Sequence, residues 1–100
     1  MTRPLRTLQP ATDEFIAAVQ WYEEQRAGLG GEFFDAVTDA TTRLHSEPEI
    51  GTPLSADQRT RRLLVHRFPY QVVYRLFPDE IVIVAVAHLK RRPGYWKKRT

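Results

Sequence analysis

The sequence predicts an α+β fold with its elements in the order βααβββ, a helical hairpin packed on one face of a small, mainly antiparallel sheet. Three observations carry this. The run Ile81 to Leu89 is apolar except for His88 and rich in Val and Ile, as a strand buried on both faces requires. Pro78, Asp79 and Glu80 form a turn signal that sets off Tyr70 to Phe77 as the other arm of a hairpin. Upstream, two segments repeat large apolar residues at helical rather than strand spacing.

In chain order, Arg3 to Gln9 carries Leu5 and Leu8 and is closed by Pro10, which reads as a short edge strand. Pro10 suits the first turn of a helix, and Asp13 and Glu14 favour the positive end of its dipole. Phe15, Ala18, Val19 and Tyr22 then share a face, with Trp21 beside them, and Gly28 stops a helix predicted from about Ala11 to Ala27. Gly30 and Gly31 make a tight break. The second helix shows Phe33, Val37, Ala40 and Leu44 on one face and Glu32, Asp35, Asp39 and Arg43 on the other, ending near Ser46. So short a connection predicts antiparallel neighbours.

Glu47 to Gln58, with Pro48, Gly51 and Pro53, is a loop from helices to sheet. In the strand Arg61 to Arg67, alternation puts Arg61, Leu63, Val65 and Arg67 on one face and Arg62, Leu64 and His66 on the other. Phe68 and Pro69 bend the chain into the next strand, where Val72, Tyr74 and Leu76 oppose Gln71, Val73 and Arg75. Simple alternation places His88 with Val82, Val84 and Val86. The last strand needs cover on both edges, which predicts the N-terminal strand beside it.

One hundred residues, 42% hydrophobic and 27% charged, bound a single folded domain over residues 1–100. With no apolar run near 18 residues and no leader at Met1, the chain reads as soluble, unexported and cytoplasmic. Zero cysteines and three scattered histidines predict neither a disulfide framework nor a metal site, and nothing calls for a cofactor. Charge is divided unevenly. Met1 to Gln58 holds 4 Lys and Arg against 10 Asp and Glu, a net of −6; Arg59 to Thr100 holds 11 against 2, a net of +9. An acidic helical lobe and a basic sheet-and-tail lobe would attract acidic proteins or polyanions to one side.

The pieces WYEEQRAGLGGEFFDAV, PEIGTPL, RRLLVHRFPYQVVYR, DEIVIVAVAH and RRPGYW together resemble the RelE/ParE superfamily of type II toxin–antitoxin toxins. The likeness runs from Leu8 to Arg99, and RFPYQVVYR with the H-x-x-RRPGYW ending is closer to the ParE branch. It implies the same βααβββ fold and a cognate antitoxin, with operator DNA reached only through the antitoxin complex. ParE-like members poison DNA gyrase by binding. RelE-like members cut messenger RNA on the ribosome. Fold does not choose between them.

Metal-free RNA cleavage needs a base, an acid and cations around the phosphate. His88, Arg75 and Tyr95 are the candidates for those roles, with His66 a further imidazole. Leu89 follows His88 where some nuclease members of the superfamily have Tyr, and the two acids of the basic half sit at a turn. The first reading is therefore a non-enzymatic inhibitor of DNA gyrase. A ribosome-dependent endoribonuclease is the alternative, and a binding module that only titrates antitoxin is a third.

The candidate partner-binding residues are Arg61, Arg62, Arg67, Arg75, Arg91, Arg92, Tyr95 and Trp96. Cations interleaved with Tyr and Trp suit a protein hot spot or a nucleic acid. Several of the candidates have a structural counterpart. His88 could end a strand hydrogen-bonded to backbone, and Arg75 could pair with an acid of the helices. Arg61 and Arg62 could solvate a sheet edge, and Trp96 could fold back onto the helices.

Overall fold

The computed structural model of the protein describes residues 3–99. Its elements are β1 (Leu5–Thr7), α1 (Gln9–Gln25), α2 (Leu29–Ser46), β2 (Thr52–Pro53), β3 (Thr60–Leu64), β4 (Tyr70–Leu76) and β5 (Ile81–His88). The sheet order is β1-β5-β4-β3-β2, antiparallel except that β1 runs parallel to β5. The N-terminal strand thus lies beside the last one. The two-residue β2, inside the expected loop, is an addition: its pairing of Thr52 with Arg62 leaves no periodicity to detect.

Both helices lie on one face of the sheet. Ala11, Ala18 and Tyr22 of α1 and Phe33, Val37, Ala40 and Leu44 of α2 join Val72, Tyr74, Ile81, Ile83 and Val86 in the main core. Tyr22, Phe33, Phe68 and Tyr70 form its aromatic centre, with ring centroids 4.9–5.1 Å apart in the Tyr22–Phe33, Tyr22–Phe68, Phe33–Phe68 and Phe33–Tyr70 pairs. Such pairs add about 0.5–1.5 kcal/mol each beyond area burial.

Three local expectations are corrected. α1 begins at Gln9, so Asp13 and Glu14 lie a full turn inside the helix and do not face its N-terminus. Gly30 and Gly31 are not a break. They sit in the first turn of α2, and the chain turns at Gly28, whose φ of 90° is left-handed. Glu23 completes the junction, its carboxylate accepting the N–H groups of Gly28 and Gly30 at 2.9 Å each. β3 also ends early, at Leu64, because Arg67 takes a φ of 73° in the turn to β4.

The fourth correction reaches the candidate site. The β4–β5 ladder runs from Tyr70↔His88 to Val73↔Ala85 and resumes at Tyr74↔Ile83, so Val84 is an extra residue on β5. Such a bulge inverts the phase of a strand. His88 therefore shares the helix-covered face with Ile81, Ile83 and Val86. Val82, Val84, Ala85 and Ala87 turn to the opposite face, where Trp96 packs on them. Trp96 is core, as one reading held, but against the face away from the helices.

Candidate functional site

With the helices on one side, the C-terminal segment packs on the other face of the sheet through Trp96. Between that segment and the β2–β3 edge runs a groove of about 490 Å³. Arg62 and Gln71 rise into it from adjacent strands, and Arg75 follows from β4. Arg91 and Lys97 enter from the C-terminal side. Leu54 and Leu89, both exposed, supply apolar rim, while Trp96 lies beneath at 6% exposure. None of the described residues that line the groove is Asp or Glu. Among the described residues, Arg62, Arg91 and Lys97 make no ion pair.

The structure sorts the candidate residues sharply. Arg62, Arg75 and Arg91 converge on the groove. Arg61 does not: it is 8% exposed, and its guanidinium donates to the carbonyls of Gln58, Glu49 and Gly51 at 2.9–3.0 Å. It faces the helix side, as alternation with Leu63 and Val65 demands, and anchors the loop before β3. The Tyr74 hydroxyl holds the same loop, donating to the Pro48 carbonyl at 2.7 Å and accepting the Gly51 N–H at 2.9 Å.

Arg67 is turned to the helices and pairs with Glu32 at 3.1 Å. Arg92 is exposed outside the groove. Arg75 points away from the helical acids and donates to the carbonyls of Lys97 and Arg99 at 3.1 and 3.3 Å. Lys97 went unnoticed as a groove residue because only the turn after Gly94, with φ of 80°, folds it back.

Tyr95 is half-buried and donates its hydroxyl to Glu14 Oε2 at 2.6 Å. Burial first, and then the Glu14 carboxylate, push its phenol far above the ordinary tyrosine range. Arg91 lies over its ring, 4.1 Å from the centroid.

His88, Arg75 and Tyr95 do not assemble. His88 lines a cleft on the helix side with Ala17, Trp21 and Tyr70, and its Nδ1 accepts the Lys90 N–H at 3.0 Å. Its ring meets Tyr70 edge-on at 5.1 Å. Arg75 opens on the opposite face, and the Tyr95 hydroxyl is occupied by Glu14. His66 stands exposed in the turn after β3.

A helical hairpin on one face of a five-stranded sheet, with a cationic groove on the other, defines an α+β domain. Residues 5–93 match the ParE toxin of the type II toxin–antitoxin system, parDE, and the chain belongs to that family. In structure it is similar to a chain titled "Chromosomal ParDE TA system from P. aeruginosa", with a TM-score of 0.74 and 17% identity, covering 87% of this chain and 96% of that one. No curated protein matches the sequence. The fold and the ParE branch are those that the sequence motifs implied.

Proposed function

We propose that this toxin-family chain acts by binding DNA gyrase, without chemistry of its own, and that a cognate antitoxin neutralises it. The observation that carries this reading is the groove: Arg62, Arg75, Arg91 and Lys97 around one concavity, with no Asp or Glu among the described residues that line it. Such a surface recruits an acidic partner by charge complementarity and speeds its docking. The exposed rim is aliphatic and the tryptophan is buried beneath it, which suits an acidic polypeptide segment better than stacked bases. The separation of His88 from Arg75 favours binding over RNA cleavage.

A supercoiling assay with purified toxin and gyrase tests this. Inhibition with accumulating linear DNA is expected, relieved by charge reversal at Arg62 together with Arg91. Undisturbed supercoiling at saturating toxin rejects the proposal. Arg61 is unsuitable as a probe, because reversing a buried guanidinium would unfold the loop it holds. The ribonuclease alternative predicts new 5′ ends on translated messenger RNA in primer extension, and none are expected.

A further inference from the structure

β1 is three residues long, and its hydrogen bonding to β5 ends at Ile83. Beyond that point no strand among the described residues lies beside the outer edge of β5, and side chains take the place of one. Val86 N–H donates to Glu14 Oε1 at 3.1 Å, while the Val84 carbonyl accepts from Arg99 Nη1, also at 3.1 Å. Glu14 and Arg99 pair with each other at 2.8 and 3.0 Å, and the side chains are only 16% and 21% exposed. The same carboxylate accepts the Tyr95 hydroxyl at 2.6 Å. One acid on α1 thus meets a β5 amide and two residues of the C-terminal segment.

The contact extends to the groove. Tyr95, held at its hydroxyl, presents its ring to the Arg91 guanidinium at 4.1 Å, and Arg99 approaches the ring at 4.9 Å. A cation over an aromatic face is oriented by the ring as well as attracted by it. We propose that Glu14 is a positioning residue for the cationic groove: it latches the C-terminal segment to α1 and, through Tyr95, places Arg91. Glu14 itself lies outside the groove. The inference rests on the proposed binding role of the groove for its consequence, but the latch stands on geometry alone.

The test uses the full chain with Glu14→Gln, which keeps shape and removes charge, alongside Arg91→Ala and the double variant. Two readouts are taken: amide hydrogen exchange over residues 94–99, and the affinity of a fluorescent polyglutamate peptide. Glu14→Gln is expected to raise exchange in that segment about tenfold, as loss of a charged hydrogen-bond acceptor implies. Peptide affinity should fall, with no further fall when Glu14→Gln is added to Arg91→Ala, because both act through one cation. Unchanged exchange in a folded Glu14→Gln protein overturns the proposal, and so does a fully additive double variant. Should Glu14→Gln fail to fold, Arg99→Gln opens the same latch from the chain end and is judged by the same exchange criterion. If the unaltered chain ignores polyglutamate, the groove reading fails by itself, and exchange alone decides whether Glu14 holds the segment.

Discussion

Arg61 and Arg62 are neighbours with opposite environments. Arg61 is buried with its guanidinium on backbone carbonyls, while Arg62 opens on the groove with one long contact to Gln71 at 3.4 Å. Removing Arg61 takes the donor from one buried and two part-buried carbonyls, so Arg61→Ala should cost about 3 kcal/mol in urea unfolding. Arg62→Ala should stay within about 0.5 kcal/mol of the parent, as ordinary surface changes do. A loss for Arg62→Ala as large as that for Arg61→Ala would contradict this assignment. Alternation in the sequence did place the two on opposite faces. It could not show that Arg61 would end on carbonyls of the preceding loop, because main-chain acceptors leave no residue signature. His88 was misplaced for a related reason: an extra residue in an unbroken Val and Ile run changes no composition.

At the scale of elements, the helix junction is tightly constrained. Gly30 is buried, and a Cβ there would lie 2.6 Å from the Val19 carbonyl oxygen and 2.9 Å from Glu23 Oε1. The backbone of α1 cannot yield, so Gly30→Ala should cost about 2 kcal/mol as overpacking between helices. At Gly31 a Cβ meets nothing within 4 Å. Gly31→Ala should therefore be neutral or stabilising by up to about 1 kcal/mol, the gain expected of Ala over Gly in a helix. Thermal melts of the two variants check both; equal shifts would show that the close approach is not limiting. The two helices were legible because their apolar spacing is strong. Their junction was not, because a glycine needed for close packing reads in sequence like one needed for a turn.

Across the whole molecule, the charge division seen in the sequence survives in part. Arg67 and Arg99 of the basic half are tied to Glu32 and Glu14 of the acidic half, whereas the described lining of the groove has four cations and no Asp or Glu. The sign of each half was legible in the sequence, but which long side chains would reach across was not. The ion pairs at Glu32 and Glu80 also set the response to acid. Hydrogen bonds from Arg26 and then Arg67 hold the Glu32 carboxyl below its ordinary range, and Arg6 does the same for Glu80. A carboxyl whose pKa is lower in the folded state stabilises above its unfolded value, about 4.3, and that contribution is lost as pH falls through the folded one. Urea midpoints should therefore drop between about pH 5 and pH 3, with a shallower decline in Glu32→Gln, and the difference should be small at exposed sites. A decline of the same steepness in Glu32→Gln would remove Glu32 from this account.

The parallel pairing of Leu5 with Ile81 and the bond between Glu14 and Arg99, 85 residues apart, join segments distant along the chain. Contacts so distant along the chain cannot form until nearly all of it is present. A growing chain on its way out of the ribosome therefore has α1 and α2 before β5, and the groove takes shape only after Arg99 has emerged.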